Sequence, residues 1–272
     1  MNIRDRLPAL AAIAIPVVAG AVWMWLAGAP PHYALVNLGA LVLVSPWVLF
    51  GRGPHTSLSR HLLAAAMLLV MLSPIWIGQE LRSITGHTVT RWFPLGPLSL
   101  HTGMIAAPAL VVLAARNRKF TAPILLAALL AAWLQPDAAT GFALTIAAVG
   151  IHHVTKDWRV GVTAIIGFLA SIEMAMRGEI PPQPFVERVL VDAMMPNVAA
   201  GMALLLALAA SFALLLYAIP FDRTKRFALA ALLLGFTVMS VMTSYPTPLI
   251  GYGAAPILGF GIALGLHSIP QR

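Results

Sequence analysis

Leu134-Gln135-Pro136-Asp137-Ala138-Ala139-Thr140-Gly141 interrupts a run of 32 residues, Phe120 to Ile151, in which Asp137 carries the only charge. An ionised side chain at the centre of a membrane helix costs about 2.5–3.5 kcal/mol on insertion scales. Pro136 has no backbone N–H and ends a preceding helix. An Asp placed after it can cap the next helix by accepting backbone N–H bonds. The stretch therefore predicts two short helices with a carboxylate at the break. A single kinked helix over 120–151 would be about 48 Å long, against a hydrocarbon core of roughly 30 Å.

The rest of the 272-residue chain agrees with a membrane setting, being 60% apolar and only 10% charged. A soluble domain carries about 25% charged residues. The expected fold class is an all-α, polytopic transmembrane bundle. No segment reads as a soluble domain, so 1–272 is expected to be one integral membrane domain. The first apolar stretch follows Arg4 and Arg6 but lacks a small-residue cleavage site, and reads as a retained helix. The absence of cysteine removes disulfides, thiolate metal sites, iron–sulfur clusters and thiol nucleophiles. The net charge of +8 sits in short loops, where it sets topology and meets anionic lipid headgroups. Nucleic acid is not an expected partner.

Apolar runs bounded by charges or Pro/Gly clusters place ten spans near 7–27, 33–50, 61–78, 99–115, 121–134, 138–152, 159–176, 197–219, 226–244 and 253–269. With the N-terminus inside, 13 of the 17 basic residues fall on inside segments and 4 outside: Arg82, Arg91, Arg177 and Arg188. Merging the two short spans around Asp137 turns that split into 9 against 8. The positive-inside rule therefore favours a hairpin with both chain termini cytoplasmic. It puts Asp137 at an outer turn, within reach of water, a helix terminus or a headgroup. Glu80, Asp137, Glu173, Glu179, Glu187 and Asp192 gather with the longest loops, 79–98 and 177–196, on the outer face. Chemistry is expected there.

Each candidate has two readings. Asp137 is a helix cap, or a polar ligand or base in an outer pocket. Arg91, beside Trp92, is an interfacial anchor, or holds a phosphate of a lipid-linked substrate through its planar fork. Glu187 and Arg188 are solvated surface charges on a stiff proline-rich loop, with a short surface helix at 185–195, or they belong to a site. His152-His153 do not share a helix face, so no metal site is expected. His61, His101, His152, His153 and His267 fall at span ends, which argues against a bis-histidine haem. No phosphate-cradling glycine motif or serine-hydrolase elbow appears, and no cofactor is indicated.

Three stretches together resemble the SEDS family (shape, elongation, division and sporulation), of the RodA and FtsW type. Gly78-Gln79-Glu80 through Arg91-Trp92-Phe93-Pro94-Leu95-Gly96 is similar to the family's Gly-x-Glu…Arg-Trp-Ile-x-Leu-Gly segment. Gln135-Pro136-Asp137-Ala138-Ala139-Thr140 is similar to its Gln-Pro-Asp-Leu-Gly-Thr. Pro248-Leu249-Ile250-Gly251-Tyr252-Gly253-Ala254-Ala255 resembles its Pro-Phe-Ile-Ser-Tyr-Gly-Gly-Ser before the last helix. The resemblance implies a ten-helix protein of a bacterial inner membrane acting in cell-wall biogenesis, cell shape or division. Active members polymerise peptidoglycan strands from lipid II, usually beside a penicillin-binding transpeptidase. Their essential external carboxylate is thought to deprotonate the acceptor hydroxyl, and Glu187 aligns with it through Pro184-Phe185-Val186-Glu187. This chain departs from the family where Gln-Pro-Ser-Glu becomes His101-Thr102-Gly103-Met104, and in its short external loop at 177–196.

Three functional classes follow. The first is a non-catalytic or strongly diverged relative that binds a lipid-linked precursor, a transpeptidase or another division or elongation protein. The second is an active lipid II-dependent glycosyltransferase, with Glu187 and Asp137 as catalytic candidates and Arg91, Glu80, Arg177 and Arg188 as substrate-binding ones. The third is a small transporter or flippase using a cavity near Asp137.

Overall fold

The computed structural model describes residues 3–266; His267, Arg272 and the end of the last expected span, 267–269, lie outside the described residues. After a 3₁₀ turn at Ile3–Arg6, the chain runs through α1 (Leu7–Leu26), α2 (Pro31–Phe50), α3 (Ser57–Leu72), α4 (Pro74–Ile77), α5 (Thr102–Arg116), α6 (Arg118–Leu134) and α7 (Ala138–Thr155). It continues with α8 (Trp158–Gly178), α9 (Val189–Met194), α10 (Val198–Ala213), α11 (Arg223–Met242) and α12 (Ala254–Leu264). The result is an all-α polytopic bundle. Among the described residues seven helical stretches are long and apolar enough to cross a bilayer: Ile3–Leu26, Pro31–Phe50, Ser57–Ile77, Ala138–Thr155, Trp158–Gly178, Val198–Ala218 and Arg223–Met242. The helices α5 and α12 are shorter apolar pieces, and α6 has 17 residues.

Helix starts follow local chemistry. Thr56, Asn117, Asp137, Asp157, Asn197 and Asp222 each accept a backbone N–H from the first turn of α3, α6, α7, α8, α10 and α11. Such caps satisfy donors that have no partner inside the helix. They matter more in a bilayer, where no water replaces them.

The bundle closes around α7, which packs against α11, α8, α6 and α5. Lipid tails are as apolar as leucine, so membrane helices associate through close van der Waals fit and small residues. On α7, Ala139, Ala143, Ala147, Ala148 and Gly150 are all buried. A Cβ on Gly150 would lie 2.8 Å from the Phe227 carbonyl of α11, and one on Gly235 of α11 would lie 2.6 Å from the Ala143 Cα. Only glycine permits that approach. On α8 the pattern is turned inside out relative to a soluble protein. Thr163, Gly167 and Ser171 are buried, while Ile165, Phe168, Leu169 and Ile172 are exposed.

One end of the bundle carries all the sheet among the described residues. The strand β1 (Leu81–Arg82) pairs with β2 (Thr88–Val89), and β3 (Trp92–Leu95) with β4 (Leu98–His101). The expected plain loop at 79–98 is thus two hairpins. Gly96 takes φ 58° in the two-residue connection of β3 and β4, as the first position of a II′ turn demands. At the opposite, basic end lie Arg52, Arg60, Arg116, Arg118 and Lys119, with no Asp or Glu in 51–61 or 115–121.

Candidate functional site

At the hairpin end, two loops are stitched together. The Thr247 N–H donates to the Val186 carbonyl (2.9 Å), the Tyr252 N–H to the Phe185 carbonyl (2.7 Å), and the Val189 N–H to Thr247 Oγ1 (3.1 Å). Glu187 and Pro246 form an isolated β-bridge between them. Phe185, Arg188 and Leu249 all take positive φ, 67°, 56° and 64°, which costs a non-glycine residue free energy and marks backbone held by its surroundings. Asn37 of α2 locks the same segment from below, donating to the Gly251 carbonyl (2.8 Å) and accepting from the Gly253 N–H (3.0 Å). Tyr33 stacks on Tyr252 at 3.7 Å between centroids.

These loops, together with β3, β4 and the start of α12, enclose a cavity of about 200 Å³. Its wall includes Gln79, Trp92, His101, Gln183, Glu187, Thr247 and Tyr252. Glu187 is only 2% exposed, not the solvated charge its loop suggested. Its Oε2 accepts the Gln183 N–H at 2.7 Å. Burial pushes the Glu187 carboxyl up to about 7, outweighing that hydrogen bond and the Arg91 charge, which both pull it down. Among the described residues no lysine or arginine lines the cavity.

Behind the cavity lies a denser polar cluster. Arg91 is fully buried, its guanidinium carbon 4.5 Å from the Trp92 ring centre and 4.4 Å from that of Tyr245. A cation between two aromatic faces is stabilised by their quadrupoles, so Arg91 is an interior clamp, not an interfacial anchor. Its Nη1 reaches the Pro136 carbonyl at 3.5 Å, and its guanidinium lies against the Tyr245 side chain. The Tyr245 hydroxyl accepts the Ala138 N–H at 3.3 Å.

Asp137 is 2% exposed. The helix terminus reaches it, but solvent does not, contrary to the expectation of an accessible outer turn. Its Oδ1 accepts the Thr140 N–H (3.2 Å), and its Oδ2 faces His101 Nε2 at 3.6 Å. His101 Nδ1 accepts the Met104 N–H (3.3 Å), which leaves the proton of a neutral ring on Nε2, directed at Asp137. Gly103 packs so closely that a Cβ there would run into Thr140 Oγ1 and Asp137 Oδ2. Gln135 Nε2 (2.7 Å) and Thr102 Oγ1 (3.2 Å) both donate to the Met71 carbonyl, satisfying the end of α3.

The remaining candidates are spread out. Arg177 pairs with Glu173, which also accepts from Trp133 Nε1 (2.8 Å). Arg188 is half-buried, and its side chain has no hydrogen bond or ion pair among the described residues. Glu80 is exposed. None of these three lines the cavity. Among the described residues no three His, Asp or Glu side chains gather as metal ligands. Sequence reasoning missed Tyr245 and the Asp137–His101 contact. The Gly96-Pro97 turn held a signal for the second, since its register sets His101 opposite Trp92.

No known family model matches the chain, and no curated protein matches it by sequence. Its fold is similar to that of a chain in a solved structure described as "Structural coordination of polymerization and crosslinking by a peptidoglycan synthase complex". The TM-score is 0.59 and the identity 18%, over 95% of this chain and 96% of that one. That likeness establishes a shared polytopic fold along nearly the whole of both chains.

Proposed function

We propose that this chain is a SEDS-like inner-membrane protein of peptidoglycan biogenesis, whose hairpin-end cavity receives a sugar of a lipid-linked precursor with Glu187 as general base. The observation that carries this reading is a buried carboxyl with a pKa of about 7 in the wall of a cavity. A base is most effective when its pKa lies near the working pH, and such perturbation in a cleft marks functional groups. The likeness in fold to a chain of a peptidoglycan synthase complex supports a role in cell-wall biogenesis. Glu187 would take the proton of an acceptor hydroxyl as its oxygen bonds to the donor's anomeric carbon. The bond from that carbon to the pyrophosphate oxygen then breaks, and the lipid pyrophosphate leaves. Arg188, next to Glu187 in sequence and without a hydrogen bond or ion pair among the described residues, would meet that leaving group from outside the cavity wall, because Arg177 is engaged by Glu173 and Arg91 is buried. Asp137 orders the frame behind the cavity.

A second reading, a non-catalytic relative that binds the precursor or a transpeptidase partner, is favoured by a cavity wall that holds no lysine or arginine among the described residues. Incubating the purified protein with labelled lipid II, alone and with a candidate transpeptidase, separates the two. Glycan polymer that disappears in Glu187→Gln supports the polymerase. Bound lipid II without polymer under either condition overturns it in favour of the second reading.

A further inference from the structure

One residue in the wall of the hairpin-end cavity has a hydrogen-bonding group left over. Thr247 lines that cavity and is 2% exposed. Its N–H donates to the Val186 carbonyl (2.9 Å), and its own carbonyl accepts the Gly251 N–H (3.2 Å). Its Oγ1 accepts the Val189 N–H (3.1 Å). The hydroxyl proton has no acceptor among the described residues. A hydroxyl is one donor as well as an acceptor, and its hydrogen rotates to meet what lies in front of it.

Buried hydroxyls elsewhere in the bundle are used the other way round. Thr121, Thr145, Ser171 and Ser211 donate to the carbonyls of Ala114, Gly141, Gly167 and Ala12. Such a bond offsets the cost of burying the group. Thr140 Oγ1 has no partner either, but a Cβ on Gly103 would lie 2.1 Å from it, so it faces packed chain. Thr247 faces a cavity. A buried donor left without an acceptor is costly, and a valine would fill the same place without that cost. Glu187 stands in the same wall, tied to this segment by its bridge to Pro246. The wall thus offers a hydrogen-bond acceptor and a donor close together. Sugar rings present oxygens in close succession, each able to donate to one neighbour and accept from another. Trp92 and Tyr252 add aromatic surface for the C–H faces of such a ring.

We infer that Thr247 is a specificity-determining residue of the cavity, its hydroxyl donating to one oxygen of the sugar whose acceptor hydroxyl meets Glu187. The inference rests on the reading of that cavity as a sugar site, and gives it a neutral donor beside its carboxyl. A ligand lacking the matching oxygen leaves the Thr247 donor unpaired, and this is how a polar wall rejects it.

The test is binding of lipid II to the full-length protein in detergent, read by native mass spectrometry. It is repeated with a panel of lipid II analogues, each with one sugar hydroxyl or acetamido group replaced by hydrogen. Thr247→Val should weaken lipid II about tenfold, the worth of one hydrogen bond, while Thr247→Ser binds as wild type does. One analogue should bind wild type about tenfold more weakly than lipid II, and Thr247→Val should no longer tell that analogue from lipid II. A merely structural Thr247 would instead weaken every analogue by the same factor, which overturns the inference. So does unchanged binding of lipid II in Thr247→Val. If Thr247→Val fails to fold, Thr247→Cys takes its place, because a thiol fills the site but donates poorly, and the same loss of discrimination is expected. Wild type that does not bind lipid II at all overturns the sugar-site reading itself, and this inference with it.

Discussion

Asp137 and Glu187 are both 2% exposed, yet burial serves different ends in the two regions that hold them. Asp137 faces a helix terminus and a histidine, with α5 packed against it through Gly103. Every direction is filled, and the carboxylate behaves as framework. Glu187 has backbone donors on one side and a cavity on the other. Removing water without supplying partners raises its proton affinity. Equal burial therefore yields a capping side chain in one region and a carboxyl of raised proton affinity in the other. What separates them is what each carboxyl faces, packed side chains or a cavity, not the depth.

The largest break in this contrast should come from Gly103→Val, which forces a side chain into Thr140 and Asp137. Overpacking of this kind costs about 3 kcal/mol, and the folded yield in detergent should collapse. Next is the pH dependence of stability set by Glu187. Its folded pKa is raised from 4.5 to about 7, so between those values the folded chain keeps a proton that the unfolded chain has released. Stability therefore falls as pH rises through this window, by an amount on the order of 3 kcal/mol, and the loss is complete above about 7. Glu187→Gln should flatten that dependence and unfold at a higher temperature than wild type at about pH 8, with little difference near pH 4.

A smaller effect is expected for Asp137→Ala. It loses a cap and leaves His101 Nε2 facing nothing, for about 2 kcal/mol, readable as a lower melting temperature. Arg91→Met tests the link between the regions: without the cation, the Glu187 midpoint should move upward, readable as a shifted pH–melting curve. Glu80→Ala, at an exposed residue outside both regions, should change stability by less than about 0.5 kcal/mol.

Much of the helical frame was legible because membrane helices announce themselves locally. A proline followed by a capping Asp in an uncharged run leaves few options, and Pro136-Asp137 is where α6 and α7 meet. The likeness in fold to a chain of a solved peptidoglycan synthase complex agrees with the bundle class. The site was less legible, since it depends on contacts remote in sequence. Glu187 meets Pro246, and Asp137 meets His101, across separations that carry no periodic signal. Arg91-Trp92 looked interfacial because the dipeptide alone cannot show Tyr245 closing over the guanidinium from the other side. The hairpins at 81–101 were hidden by strands only two to four residues long.

The central claim, that Glu187 is the titrating group of the cavity while Asp137 is part of the frame, is tested most directly by infrared difference spectroscopy of the carboxyl C=O band. Spectra of wild type minus Glu187→Gln would be recorded from about pH 4 to pH 9. The account predicts a protonated carboxyl band for Glu187 that survives past the ordinary glutamate value of about 4.3 and disappears near 7. A band already lost by about pH 5 would mean that Glu187 is an ordinary solvated acid, and the cavity would then have no base.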